Sequence, residues 1–174
     1  MKFTTTPLEG LLIIQPDVFD DDRGYFFESY NHEKFLTAGL DLKFVQDNES
    51  KSKKGVLRGL HFQAPPFAQG KLVRVISGSA MDVAVDIRKN SPTYGKWTSV
   101  VLTDKNKLMF WVPAGFAHGF ITLEDDTVFF YKCTNVYNKA SEGGIIWNDT
   151  DLNIDWGIGD QSVSEEDGIS PRFR

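Results

Sequence analysis

Residues 71–88 read KLVRVISGSAMDVAVDIR, and they decide the fold class. Two runs rich in β-branched residues, KLVRVIS (71–77) and MDVAVDIR (81–88), flank the turn signal Gly78-Ser79. The same texture extends in both directions. LLIIQ (11–15), YFFESY (25–30), KFVQDN (43–48), VLRGLHFQ (56–63), TSVVLT (98–103), MFWVPA (109–114), TVFFYKCTNVY (127–137) and GIIWND (144–149) are short β-type runs. Turn residues such as Asn90-Ser91-Pro92 and Asp125-Asp126 punctuate them. One helix is expected, from Asn31 to Ala38, with Asn31 as N-cap and Gly39 just past its end. The pattern predicts an all-β sandwich or barrel, with a jelly roll among the options. Periodicity does not choose between them.

The chain has 174 residues, 41% hydrophobic and 25% charged, which suits one soluble domain over residues 1–174. The longest aliphatic run, Leu11 to Ile14, is far too short to span a bilayer, and the start of the chain shows no signal-peptide pattern. Cys133 is the single cysteine; it reads as a buried, inert thiol and fits a reducing cytoplasm. A net charge of −5 argues against nonspecific nucleic-acid binding. A small anionic ligand is a different matter, because a pocket needs only a few local cations.

Strand alternation sorts side chains by face. Lys71 shares a face with Val73 and Val75, either as a snorkelling strand-end residue or as part of a pocket wall. Phe129, Tyr131, Cys133, Asn135 and Tyr137 fall on one face of their run. Gln46 and Asn48 share a face with Phe44, and Phe26 and Glu28 share one with Tyr30. Asp82 and Asp86 lie opposite Val83 and Val85, where carboxylates are usually solvated or paired with structural cations. In VLRGLHFQ a regular strand would send Arg58 and His61 to opposite sides. Gly59 between them can host a bulge, so both side chains are expected to reach one cavity. A lone strand histidine is by itself more often a hydrogen-bonded structural residue.

The turn Pro113-Ala114-Gly115 leads into His118, in a stretch that resembles the second motif of cupins. Metal-binding cupins also supply a His-x-His; here the corresponding run is His61-Phe62-Gln63. With His32 in the expected helix, the chain has three histidines. A catalytic metal is therefore not expected.

Taken together, the motifs resemble the dTDP-4-dehydrorhamnose 3,5-epimerase family. They are Asp22-Arg23-Gly24-x-Phe26-x-Glu28, Gln46-x-Asn48-x-Ser50, VLRGLHFQAPPFAQGKLVRVISG, DVAVDIRKNSPTYGKW, VPAGFAHGF, Tyr131-x-Cys133-x-x-x-Tyr137, EGGIIWNDTDLNIDW and Ser164-Glu165-Glu166-Asp167. They cover nearly the whole chain in order. The resemblance implies a cupin-like jelly roll with a few short helices. It also implies a cytoplasmic homodimer that exchanges N-terminal strands, with no metal and no organic cofactor. The implied substrate is a dTDP-linked 4-keto-6-deoxy sugar in dTDP-rhamnose biosynthesis.

The chemistry of such a substrate gives the unusual residues roles. The C4 carbonyl acidifies C3–H and C5–H. Inverting each centre needs a base on one side of the ring and an acid on the other. By resemblance, His61 is the base, Asp167 fixes its tautomer, Tyr131 is the acid, and Lys71 stabilises the enolate oxygen. Without the resemblance, Ser164 and Asp167 would read only as a helix capping box. His118 is the second histidine of the site, with Asp82 as an orienting partner for it or for Lys71. Arg23 and Arg58 match diphosphate-binding positions. Phe26, Glu28, Gln46, Asn48, Tyr137 and Glu142 match further substrate contacts, those between Arg23 and Asn48 in part from a neighbouring subunit.

Glu166 stands where many members of the family carry lysine, and so replaces a cation near the substrate with an anion. Three other readings compete: an epimerase acting at one carbon only or on another deoxysugar, a non-catalytic sugar-binding jelly roll, and a metal-dependent cupin oxygenase or isomerase. The second has no need of His61, Asp167, Tyr131 and Lys71 together.

Overall fold

The structure, a computed structural model, describes residues 1–174. In chain order the elements are β1 (Lys2–Thr5), β2 (Leu12–Gln15), β3 (Val18–Asp21), β4 (Gly24–Phe27), α1 (His32–Thr37), β5 (Gln46–Ser52), β6 (Leu57–Gln63), β7 (Lys71–Ser77), β8 (Ser79–Asp86), β9 (Trp97–Thr103), β10 (Met109–Val112), β11 (Phe116–Thr122), β12 (Thr127–Cys133), a 3₁₀ turn (Lys139–Ser141), β13 (Glu142–Gly144) and α2 (Glu165–Gly168). The strands form a six-stranded sheet of order β1-β2-β10-β7-β12-β5, a five-stranded sheet of order β13-β6-β11-β8-β9, and a separate β3-β4 hairpin. Although β7 and β8 are consecutive, they do not pair: the chain changes sheet at Gly78. This two-sheet antiparallel arrangement is the cupin-like jelly roll that the resemblance implies.

The core lies between the sheets. Val73, Val75, Phe110 and Phe129 from one sheet meet Ala84, Leu102, Phe116 and Phe120 from the other. Both outer faces are also covered. Phe35 of α1 packs on Ile14, Leu72, Met109 and Trp111. Ile145, Leu152 and Trp156, from the segment after β13, pack on Leu57, Leu60, Val83 and Val85. Strands buried on both sides read as continuous apolar runs, which is why β11 has no exposed residue at all.

The helix forms as expected. Asn31 caps it by accepting from the Lys34 backbone N–H, and Ala38 closes it. Several boundaries differ from the sequence reading. The run at 43–48 becomes a strand only from Gln46; Phe44 precedes it and packs with Trp111 on the outer face, away from Asn48. The run at 25–30 ends at Phe27; Tyr30 packs on Phe35 and Phe44 while Phe26 faces solvent, so those two share no strand face. The run at 127–137 ends at Cys133, which takes Asn135 and Tyr137 off its face. GIIWND contributes little strand and serves as the covering layer. In each case a tertiary partner, invisible to local propensity, set the boundary.

Candidate active site

The centre of the site is β6, where Leu57 and Leu60 both belong to the outer apolar cluster. A regular strand cannot place residues three apart on one face. The register between β6 and β11 shifts between His118 and Phe120, and the shift falls at Gly59, with φ at +130°. A Cβ at residue 59 would lie 2.5 Å from the Gly119 Cα, so only glycine fits this crossing. The expected distortion is present: Arg58 and His61 line one cavity of about 600 Å³.

Opposite walls of that cavity come from opposite sheets. His61 and His118 belong to β6 and β11 of the five-stranded sheet; Tyr131 and Lys71 belong to β12 and β7 of the six-stranded sheet. Lys71 shares its face with Val73, as alternation predicted, and it lines the cavity instead of reaching bulk water. Asn48, Glu142, Glu166 and Asp167 line the same space, with Phe120 as an apolar surface.

Each histidine has its own carboxylate. His61 Nε2 lies 2.5 Å from Asp167 Oδ1, which leaves Nδ1 without that partner. Asp167 is buried and also accepts from the Gly59 N–H at 3.4 Å. Burial pushes its carboxyl up, but the hydrogen bond and charge of His61 and the Gly59 amide outweigh this and hold it below the usual range. The Ser164 hydroxyl accepts from the Asp167 backbone N–H, so the cap and the site contact coexist: backbone and side chain of Asp167 do different work. His118 Nε2 lies 2.8 and 3.0 Å from the two oxygens of Asp82. Asp82 is fully buried, not solvated as strand carboxylates usually are. Burial pushes its carboxyl up against the pull of His118 and Lys71. Asp86 on the same strand is the structural pair, bound by Arg88, Ser91 and Thr93.

On the facing wall, burial raises the Tyr131 phenol above its usual range, with Arg58 pulling the other way; it is held as an acid. Burial lowers the Lys71 ammonium, opposed by Cys133, Asp82 and Glu142. A cation that has lost water is the one that gains most from a nearby developing anion. Asn48 receives a hydrogen bond from Gln46 Nε2 (3.2 Å) and donates to Cys133 Sγ (3.6 Å). Arg58 donates from Nε and Nη2 to Ser52 Oγ.

Tyr137 sits at the rim, its hydroxyl donating to Glu142 at 2.8 Å and its N–H to Gln46 Oε1. Gln46 itself opens onto a neighbouring groove with Phe44 and Lys132. Arg23, Phe26 and Glu28 are not brought to this cavity within one chain. Arg23 is 89% exposed at the β3-β4 tip and paired with Asp21. Phe26 is 68% exposed, and Glu28 is paired with Lys34 and Asn31. The β3-β4 hairpin packs against the body elsewhere, with Arg74 over the Phe27 ring and Lys107 over the Tyr25 ring, and none of Arg23, Phe26 and Glu28 lines the cavity of its own chain.

Sequence reasoning missed Ser52, which steers Arg58, and Ser162, which pairs with Val56 and docks the tail that carries Asp167. Ser50, inside a quoted motif, also lines the cavity and could have been found from that motif. No group of three or more histidine, cysteine, aspartate or glutamate side chains is placed to share a metal ion.

The family model for dTDP-4-dehydrorhamnose 3,5-epimerase matches residues 5–174. The dTDP-4-dehydrorhamnose 3,5-epimerase of Shigella flexneri is 52% identical over 174 residues, covering 99% of this chain and 96% of that one. The crystal structure of the Elizabethkingia anophelis enzyme of the same name is similar at 54% identity and a TM-score of 0.95, with 99% and 96% of the two chains covered. The dTDP-6-deoxy-D-glucose-3,5-epimerase of Legionella pneumophila, solved in complex with dTDP-4-keto-L-rhamnose, is similar at 44% identity and a TM-score of 0.93, with 99% and 98% covered.

Proposed function

This chain belongs to the dTDP-4-dehydrorhamnose 3,5-epimerase family and is an isomerase of that type; we propose that it inverts C3 and C5 of dTDP-4-dehydro-6-deoxyglucose by proton transfer between His61 and Tyr131. The observation that carries the mechanism is that the two side chains stand on opposite sheets yet line one cavity. A sugar ring between them presents one face to the imidazole and the other to the phenol.

His61 Nδ1 takes the proton from the carbon beside the ketone, while Asp167 holds Nε2–H and balances the imidazolium that forms. The electron pair moves into the C4 carbonyl, and Lys71 meets the resulting oxyanion. Tyr131 then delivers a proton from the opposite face, and the centre is inverted. His61 and Tyr131 return to their starting states by exchange with water before the second carbon reacts. His118, fixed by Asp82, is a ligand for the sugar, and Arg58 for the diphosphate.

The β3-β4 hairpin belongs to the same reading. Phe19, Tyr25 and Phe26 on it are 65%, 56% and 68% exposed, an apolar surface that a second copy of the chain would cover. The cavity has Arg58 and Lys71 as its cations, few for a diphosphate. A homodimer that exchanges N-terminal strands would add Arg23, Phe26 and Glu28 from the neighbouring subunit. All 174 residues then form one epimerase domain in the cytoplasm, a location supported by the single buried thiol; no helix is long and apolar enough to cross a membrane.

Incubation with the 4-keto sugar in D₂O, followed by proton NMR, tests the reaction. Deuterium is expected at both C3 and C5 of the product. Uptake at one carbon alone makes this a single-centre epimerase, and uptake at neither defeats the reading.

A further inference from the structure

Asp167 differs from every other member of the candidate dyads and facing wall. His61, His118, Asp82, Tyr131 and Lys71 are all carried by strands, whereas Asp167 is carried by α2, a single helical turn. A turn this short has no independent stability, so its position is set by what anchors the chain on either side.

Upstream, Ser162 is locked to the start of β6. Its N–H donates to the Gly55 carbonyl at 2.8 Å, its carbonyl accepts from the Leu57 N–H at 2.9 Å, and Val163 packs into the outer cluster. Downstream, only Ile169 and Ser170 separate α2 from a second anchor. The Pro171 carbonyl accepts from the Ile146 N–H at 2.8 Å. The Phe173 N–H donates to Asp149 Oδ2 at 2.9 Å. The Phe173 ring packs on Tyr94 with centroids 4.9 Å apart.

Asp149 is the hub of this anchor. It is buried, and its other oxygen accepts from the Asp151 and Leu152 amides at 2.9 and 3.0 Å. Burial pushes its carboxyl up, but these backbone donors outweigh it and hold the group below the usual range. All of this lies on the outer face of the five-stranded sheet, behind the wall that presents His61 to the cavity.

We propose that Asp149 and Phe173 are positioning residues for the reaction: the latch they form holds the tail so that Asp167 stays on His61 Nε2. The inference rests on the reading of His61 and Asp167 as a working pair. A latch that slackens lets α2 drift, and the imidazole then loses the partner that selects its tautomer. Displacements of about 1 Å at such a group cost about 10- to 100-fold in rate. Neither latch residue lines the cavity, so binding of dTDP is not expected to change.

The test uses the full chain with Phe173→Ala, Asp149→Asn, Asp167→Asn and the Phe173→Ala/Asp167→Asn double variant. Phe173→Ala is expected to lower kcat about 10- to 100-fold with the dTDP affinity unchanged. It should move the pH profile of kcat/KM in the same direction as Asp167→Asn. It should also weaken the low-field ring N–H proton signal that Asp167→Asn abolishes. The double variant should be no slower than Asp167→Asn alone, and Phe173→Leu, which refills the space beside Tyr94, should restore most of the rate. If Asp149→Asn does not fold, the Phe173 series still decides. Losses that add in the double variant, or a Phe173→Ala enzyme with unchanged rate and pH profile, overturn the latch. Full activity in Asp167→Asn overturns instead the reading of the pair itself.

Discussion

His61 and His118 face each other directly across the β6-β11 ladder, and each commits Nε2 to an aspartate of its own. The symmetry is only local. Asp167 arrives on a tail helix, whereas Asp82 is a fully buried strand residue. The two pairs should therefore respond differently to mutation. His61→Ala should lower kcat about 10²- to 10⁴-fold, the usual contribution of a general base. Asp82→Asn should act mainly on KM, raising it about tenfold, the scale of one lost charge-assisted hydrogen bond. Steady-state kinetics on both variants checks the split.

Tyr131→Phe separates removal of a proton from its return. The base remains, so deuterium should still enter the carbon next to the ketone. Delivery to the opposite face is lost, and inversion should slow about 10²- to 10⁴-fold. Comparing deuterium uptake with product formation by NMR measures the ratio. Uptake and inversion slowed equally would remove Tyr131 from its role as acid.

Glu166 and Glu142 both line the cavity, beside the expected place of a diphosphate. Glu166→Lys should tighten dTDP binding about two- to tenfold at low salt, and the gain should shrink as ionic strength rises. Titration calorimetry at two salt concentrations reads this directly.

Asp86 tests stability away from the chemistry. Burial pushes its carboxyl up, but Arg88, Ser91, Thr93 and the Arg88 amide outweigh this and hold it well below the usual range. Its folded value is depressed, so the contribution is complete above the unfolded value of ~3.9 and fades as the pH falls toward the folded one. Asp86→Asn should cost about 1–3 kcal/mol near neutrality, and the gap to the parent should narrow below about pH 4. Urea unfolding across that range checks both the size and the sign.

Arg23 sits outside the cavity of its own chain, and this makes strand exchange testable. Arg23→Ala and His61→Ala homodimers should each be impaired. Mixed after unfolding and refolding together, they should regain activity, because one site of the heterodimer would receive an intact hairpin and an intact base. No recovery on mixing would place Arg23 in a role within its own subunit.

Part of the strand-borne cavity wall was legible from the residues, whereas the roles of His61, Tyr131 and Lys71 came only with the resemblance. Alternation put Lys71 on the inner face with Val73, and Gly59 between Arg58 and His61 signalled the distortion that brings them together. The resemblance supplied what alternation does not: the pairing of His61 with a residue 106 positions away. Local pattern has no access to such contacts, and Ser164 with Asp167 looked like a helix cap, which it also is. The hairpin residues lie outside the cavity of one chain, and no local pattern tells which subunit's cavity such a residue would serve. The covering segment at 144–149 read as a strand because a layer packed on a sheet carries the same apolar residues as the sheet.

The near-contact of Gly59 with Gly119 limits how this cavity can be remodelled. Adding one methyl at either residue places carbon within 3.3 Å of the other strand's backbone, and His61 and His118 ride on those two strands. Variation has more freedom at the exposed rim around Tyr137, since Phe120 is stacked on Phe129 in the core. The crossing of the two glycines is a fixed hinge pin around which any descendant of this sequence must rearrange.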